Sequence, residues 1–280
     1  MLFIGEIGIN HNGDLNTALE LIKQAKECGV DVVKFQKRDP DLCVPEEQKN
    51  QERIWKGKEM TYLEYKHDIE FWEEEYDAIN SYCKKLGIKW TASVWDINSV
   101  EFMKRYTADI PFIKIPSACI TDMELLNAIN DWGVDVVFSD GMSTISEVKT
   151  AHSILKNKIG LLHCNSSYPC REDEIDLKVI DMYRHMQWDK NIVLGYSGHE
   201  SGYFPTLIAY TMDIGMIERH ITLDKNMEGS DHKSSLDMSE LKELMHHINR
   251  IDTIRGKFNK VVYDSEKESR KKLRTKRYKS

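Results

Sequence analysis

The sequence predicts a closed (β/α)8 barrel, and three observations carry that expectation. Short β-branched runs recur eight times, each followed by a segment with apolar residues three and four apart, the alternation of parallel strands with crossover helices. Closing such a sheet removes its edges, and 280 residues with 41% hydrophobic content are enough for one large core in a single domain. No G-x-G-x-x-G turn follows a strand, which weakens the dinucleotide-binding form of the runner-up, an open doubly wound sheet.

In chain order, the strand "LFIGEIGIN" leads to a helix over 14–28, and "DVVKFQ" leads to an overlong connection over 37–72 before a helix over 73–86. Connections of that length in compact domains are functional or disordered. "WKGKEMTYLEYKHDIEF" reads as ordered, so a functional role is expected for it. "IKWTASV" precedes a helix over 97–105, "FIKIPS" one over 121–132, and "DVVFSD" one over 144–157. "IGLLHCN", "IVLGYS" and "MIERHI" precede helices over 174–187, 203–213 and 237–255. The barrel is assigned to residues 1–258, and 259–280, ending in "RKKLRTKRYKS", to a solvated charged tail or linker remnant.

A net charge of -7 and a pI near 5.8 argue against a nucleic-acid or membrane-surface binder, which needs a basic face. The N-terminal run has no basic region and contains Glu6, so it does not read as a secretory signal. No apolar stretch approaches the ~20 residues of a membrane span. The six cysteines lack a C-x-x-C pair and suit reduced thiols, so a cytoplasmic protein is expected.

Barrel chemistry collects at the C-terminal ends of the strands. Alternation puts Glu6, Gly8 and Asn10 on one face, and likewise Lys34 with Gln36, Thr91 with Trp95, His163 with Asn165, and Glu218 with His220. Lys34 and Lys114 lie in otherwise apolar strands, where an unpaired ammonium is too costly to bury; an anionic ligand would resolve that. Ser93, Ser117, Ser139, Ser166 and Ser197 end five consecutive strands and suggest a cradle for phosphate and carboxylate oxygens. His199 and His220 end adjoining strands, with Glu218 and Asp231 near in sequence. Mixed nitrogen and oxygen ligands beside phosphate point to Mn²⁺ or Mg²⁺.

These residues sit in seven blocks that resemble the sialic acid synthases: "GEIGINHNGDL", "AKECGVDVVKFQK", "GKEMTYLEYKHDIEF", "FIKIPSA", "LHCNSSYP", "GYSGHESG" and "IERHITLDKNMEGSDHKSSL". The resemblance implies a metal-dependent barrel that condenses phosphoenolpyruvate with an N-acylated hexosamine to give a nonulosonic acid and phosphate. It places Lys34, Ser93, Lys114, Ser117, Ser139, Ser166 and Ser197 on the phosphoenolpyruvate, with Asn165 as a further oxyanion contact. His199 and His220 match metal ligands, Gln36, Tyr168 and Asp231 face the sugar, and Glu6 is the first catalytic candidate with Asp231 the second.

Family members continue into an antifreeze-protein-like lid domain that covers a partner's site, so a homodimer and a separate lid are both expectations. Cys119 stands where many members carry an acid. Gly198 stands where bacterial members carry aspartate and matches the animal-type form, whose acceptor is 6-phosphorylated. The resemblance leaves that phosphorylation open, with Lys66 and His67 as candidate contacts. Another phosphoenolpyruvate-dependent ulosonic acid synthase, or a catalytically weak barrel needing a lid protein, are the rival readings.

Overall fold

The computed structural model describes residues 1–186, 188 and 192–274. β1 (Leu2–Gly8), α1 (Leu15–Cys28) and β2 (Val32–Lys37) open the chain. The long connection then holds α2 (Pro40–Cys43), α3 (Glu46–Lys49), the antiparallel hairpin β3 (Glu52–Trp55) and β4 (Lys58–Thr61), and α4 (Tyr62–Ile69). There follow α5 (Glu73–Leu86), β5 (Lys89–Val94), α6 (Ile97–Met103), β6 (Ile113–Ile115), α7 (Met123–Trp132), β7 (Val136–Ser139) and α8 (Ile145–Ile154). β8 (Lys158–His163), α9 (Lys178–His185), β9 (Val193–Gly198), α10 (Phe204–Thr211), β10 (Met216–Thr222), β11 (Leu236–Asp237), α11 (Met238–Arg255) and α12 (Asp264–Leu273) complete it.

β1, β2, β5, β6, β7, β8, β9 and β10 pair in that order in parallel, and β1 pairs with β10, so the sheet closes as the sequence predicts. Helix boundaries follow local chemistry. The Asp14 carboxylate accepts from Thr17 N–H to start α1, and Gly29, at φ 92, ends it. Reciprocal capping boxes start α4 at Thr61 and Glu64, α8 at Thr144 and Glu147, and α11 at Asp237 and Glu240. The helix expected over 174–187 is shorter, with a 3₁₀ turn over Glu172–Glu174 before α9; residue 187 lies outside the described residues.

The long connection is ordered around its own cluster of Trp55, Tyr65 and Ile69. It packs close over the end of β1: a Cβ at Gly13, φ +73, would collide with the Asp68 carbonyl. At the other terminus residues 252–274 are exposed throughout, and 275–280, the end of the expected tail, lie outside the described residues. No helix among the described residues is long and apolar enough to cross a membrane.

The barrel interior is layered by the two-residue period of its strands. Ile4, Val32, Phe112, Val137, Leu162 and Met216 form an apolar floor. Two residues further along the same segments stand Glu6, Lys34, Lys114, Ser139, Cys164 and Glu218, so one side-chain step turns the floor into a polar layer. Gly195 completes the floor by absence, because a Cβ there would overlap Leu162 and Met216.

Outside the sheet, between β10 and α10, the fully buried Arg219 donates Nη1 to Glu200 Oε1 and to Thr206 Oγ1, each at 2.7 Å, and Nη2 to the Glu200 carbonyl at 2.9 Å. Tyr196 O–H donates to the other Glu200 oxygen at 2.8 Å. Removing the guanidinium leaves that carboxylate buried and unpaired. Arg219→Met is therefore expected to lower unfolding stability by about 3–5 kcal/mol, read by denaturant melts; a loss under about 1 kcal/mol would show the pair to be dispensable.

Candidate active site

Above the apolar floor, where the strands end, lies a cavity of about 200 Å3. Glu6, Lys34, Gln36, Ser93, Lys114, Ser117, Ser139, Ser166, Tyr168, Ser197, His199 and His220 all line it. β1, β2, β5, β6, β7, β9 and β10 thus each deliver a side chain expected from the sequence. Trp95 lines it as its shared face with Thr91 suggested, and Pro116, Met142 and Cys164 line it too and were not foreseen. Met142 stands in the left-handed region at φ 60 and is 71% exposed at the mouth; nothing in its local sequence marks it.

The lysines are not left waiting for a ligand. Lys34 Nζ sits 2.8 Å from Glu6 Oε2 and 3.6 Å from Glu218 Oε1, while Lys114 Nζ sits 3.8 Å from Glu218 Oε2 and donates to Ser139 Oγ at 2.6 Å. The expectation that an anionic ligand resolves the two buried ammoniums is corrected: Glu6 and Glu218 already pair with them. Glu218, two residues before His220 on the same strand face, was noticed only as a neighbour of the metal candidates.

The two carboxylates differ in charge state. Burial raises Glu6 to about 7, with Lys34 opposing and Glu218 reinforcing the rise. Burial also acts against ionised Glu218, but Lys114 and Lys34 outweigh it and hold Glu218 at about 2. Lys34 shifts upward because Glu218 and Glu6 outweigh its burial, and burial shifts Lys114 downward. One carboxyl able to exchange a proton near neutrality beside one fixed anion is the division that acid–base chemistry uses.

"HCNSSYP" builds the wall nearest the histidines. His163 Nδ1 is 2.9 Å from Asp140 Oδ2 and Nε2 is 2.8 Å from the Ile175 carbonyl, so both ring nitrogens face acceptors. Tyr183 O–H donates to the same Asp140 oxygen at 2.6 Å, and Cys164 N–H to the other at 2.8 Å. Asp140 thus clasps the loop from β7. His163 is thereby turned out of the cavity. Burial works against its charge, but the Asp140 hydrogen bond prevails and shifts its pKa upward.

Asn165 requires a second correction. Its Nδ2 donates to the Glu174 carbonyl at 3.0 Å and its Oδ1 accepts from Ser167 N–H at 2.9 Å, so the amide braces the loop instead of meeting a ligand. Its backbone carbonyl accepts from His199 Nδ1–H at 2.6 Å. Asn10 likewise leaves the cavity face, because a bulge at Gly8 breaks the alternation of β1; its amide donates to the Ile221 carbonyl and Ser235 Oγ.

The Asn165 contact leaves the lone pair of His199 on Nε2, where it accepts from Tyr168 O–H at 3.0 Å. The His199 and His220 ring centres are 5.5 Å apart, and burial lowers both pKa values, His199 to about 3, so both imidazoles are neutral. His220 Nδ1 is buried with no hydrogen-bond partner, 3.8 Å from Asp231 Oδ2. Neutral imidazoles, one with its Nε2 lone pair turned to the movable Tyr168 hydroxyl and the other with an orphaned nitrogen, fit a divalent ion. Among the described residues no group of three His, Cys, Asp or Glu side chains is gathered for one, so water and substrate oxygens would fill the other positions.

Asp231 is placed at the rim beside His220, where its Oδ1 accepts from Ser230 O–H at 2.6 Å, and does not line the cavity itself. Cys119 is buried against the Trp95 carbonyl, and His67 contacts Asp41 at 3.2 Å away from the cavity. Gly198 has no room for a side chain, since a Cβ would lie 2.5 Å from Glu200 Oε2.

The chain matches the NeuB family over residues 21–260. It is 35% identical over 276 residues to an N-acetylneuraminate-9-phosphate synthase of Mus musculus, covering 96% of this chain and 75% of that one. It is 32% identical over 276 residues to an N,N'-diacetyllegionaminic acid synthase of Campylobacter jejuni, covering 96% and 81%. A crystal structure of an N-acetylneuraminic acid synthetase from Leptospira borgpetersenii, in complex with citrate, superposes with a TM-score of 0.82 at 29% identity, covering 98% of this chain and 93% of that one. The chain therefore belongs to the NeuB family.

Proposed function

We propose that the chain is a nonulosonic acid synthase, condensing phosphoenolpyruvate with an N-acylated hexosamine in its open-chain aldehyde form. The carrying observation is the cavity's pairing of a lysine and serine cradle with two neutral imidazoles beside it. The names of the relatives support the reaction class. Lys34 and Lys114, with the hydroxyls of Ser93, Ser117, Ser139, Ser166 and Ser197, receive the donor's carboxylate and phosphate oxygens. Fixing those oxygens turns C3 of the donor toward the acceptor.

His199 and His220 would hold a divalent ion, Mn²⁺ or Mg²⁺, which would supply polarisation of the aldehyde oxygen. Gln36 and Tyr168 in the wall, with Asp231 at the rim, orient the sugar. The donor's C3 bonds to the aldehyde carbon, whose oxygen takes up a proton, and positive charge develops at C2. Water adds there and gives up one proton; phosphate then leaves from C2 with the C–O bonding electrons and takes the remaining hydroxyl proton as the C2 ketone forms. Glu6, poised near neutrality, gives its proton to the aldehyde oxygen and, once ionised, takes the water's proton, while Glu218 stays ionised to offset the charge at C2. Asp231 is the second proton carrier.

A cytoplasmic setting belongs to the same proposal, supported by six free cysteines. So does closure of the mouth by a second copy in a homodimer or by a separate lid domain. The exposure of Met142 and of Tyr168, at 47%, supports it, since closure would exclude water from the site.

The test supplies the purified chain with phosphoenolpyruvate, Mn²⁺ and a panel of N-acyl hexosamines, and follows phosphate release and product mass together. Stoichiometric phosphate and a product three carbons longer are expected; no such product from any acceptor would overturn the assignment. Chelation should abolish turnover and added Mn²⁺ restore it. His199→Ala and His220→Ala should each weaken Mn²⁺ binding in substrate-free titrations and lower kcat/KM by roughly 100-fold or more. Asp140→Asn, which loosens the clasp that sets His199 through the loop, should lower kcat/KM by about 10–100-fold while melting stays cooperative.

A further inference from the structure

A side-chain amide has a donor end and an acceptor end of nearly the same size, so Gln36 could turn either one to the cavity unless a neighbour fixes it. Arg38 fixes it. Just beyond β2, its Nη2 donates to Gln36 Oε1 at 2.6 Å. A guanidinium carries five N–H donors and no acceptor, so only the oxygen of the amide can face it. The nitrogen is turned inward as a result, and Nε2 donates to Glu6 Oε1 at 3.1 Å. Among the described residues the second N–H on Nε2 has no protein partner, although Gln36 lines the cavity.

Arg38 is itself held on three sides. Its guanidinium lies 3.6 Å over the centre of the Trp95 ring, and the Trp95 indole N–H donates to Ser93 Oγ at 3.2 Å, which fixes the plane on which the guanidinium stacks. The Arg38 backbone N–H donates to Glu70 Oε1 at 3.3 Å, and its carbonyl accepts from Lys37 Nζ at 3.3 Å. Glu70 and Lys37 are paired at 2.7 Å, so the end of the long connection anchors the arginine from behind. Among the described residues no carboxylate reaches ion-pair distance of the guanidinium, and its one side-chain hydrogen bond goes to Gln36. Arg38 does not line the main cavity, whereas Gln36 and Trp95 both do. Its influence on a ligand there has to pass through them.

We infer that Arg38 is a positioning residue that locks Gln36 as a hydrogen-bond donor, so that the sugar must offer an oxygen lone pair at this wall and the amide cannot take the Glu6 proton. This rests on the synthase reading above. Glu6 Oε2 faces the Lys34 ammonium at 2.8 Å, another donor. With Nε2 of Gln36 on one oxygen and Lys34 on the other, a protonated Glu6 meets no acceptor in either neighbour, and its proton is left for the reacting oxygen. A reversed amide would turn Oε1 to Glu6, accept that proton and hold it away from the substrate. It would also face the sugar with an acceptor in place of a donor. The guanidinium excludes that state whether or not Glu6 carries its proton, because Oε1 stays bound to Arg38 in both cases.

The experiment is a double-mutant cycle on the full chain with phosphoenolpyruvate, Mn²⁺ and N-acetylmannosamine or its 6-phosphate, whichever turns over faster. Arg38→Met, checked for unaltered thermal melting, should raise KM for the sugar and lower kcat by about tenfold each, while KM for phosphoenolpyruvate and Mn²⁺ affinity in substrate-free titrations stay within about twofold. Arg38→Lys, which can still donate to Oε1, should restore most of the loss. Gln36→Leu should be at least as damaging as Arg38→Met, and adding Arg38→Met to it should cost nothing further, since the arginine acts only through the amide. Gln36→Glu keeps the shape and the Arg38 contact but has no N–H, so it should fail as Gln36→Leu does. Losses that multiply in the double variant would mean that the guanidinium meets the ligand directly, and would overturn the inference while the synthase reading stands. So would wild-type kinetics in Arg38→Met or Gln36→Glu, or a KM for phosphoenolpyruvate that rises along with that for the sugar. No product from the unaltered chain with either sugar would bring down the synthase reading and this inference with it.

Discussion

Two ammoniums and two carboxylates share the interior of this barrel within a few ångströms, and the rest of the site is arranged around them. Each would be prohibitively costly to bury alone. Together they are tolerable, because Lys34 bridges Glu6 and Glu218 while Lys114 meets Glu218 and Ser139. Four strands contribute the four charges, so the quartet exists only once the sheet has closed. The charges also fix the register of those strands, since a one-residue slip would drive them into the apolar layer between sheet and helices.

The apolar floor makes that arrangement possible. Ile4, Val32, Phe112, Val137, Leu162 and Met216 close the lower barrel to water, so the charges above them act on one another in a medium of low polarity. The upper boundary is less closed, with Tyr168 nearly half exposed and Met142 more so. The histidine wall is tied to this frame indirectly. Asp140 holds His163, the loop beyond it carries Asn165, and the Asn165 carbonyl sets the tautomer of His199. A residue at the end of β7 thereby governs a ring at the end of β9.

The closed barrel was legible because its signal is repeated: eight strands with the same period leave few alternatives. The inward lysines and strand-end serines were legible for a related reason, since polar residues in apolar strands at the C-terminal end of a barrel have few places to go. Asn165 was misread because it follows the strand, and alternation stops holding once the chain turns. Asn10 was misread because the positive φ of Gly8 resets the face. Glu218 was undervalued because its role is relational, depending on two lysines more than a hundred residues away in sequence.

The difference between Glu6 and Glu218 follows from this geometry without any special chemistry at either residue. Both are buried on the same face of neighbouring strands, β1 and β10, with Glu6 opposite His220 in the register and Glu218 two residues earlier. Glu218 has ammoniums on two sides and a hydroxyl from Ser197 at 3.2 Å, whereas Glu6 has one ammonium and the Gln36 amide at 3.1 Å. Two carboxylates this near each other disfavour joint ionisation, so the better-compensated one takes the charge and the other keeps its proton. The proton is thus retained on the β1 side, which is also the side that Gln36 and Arg38 connect to the rim. An anion entering the cradle would draw on Lys34 and Lys114 and weaken their hold on Glu218. Donor binding and the protonation of the carboxylate pair are therefore one coupled equilibrium, set by the same two lysines.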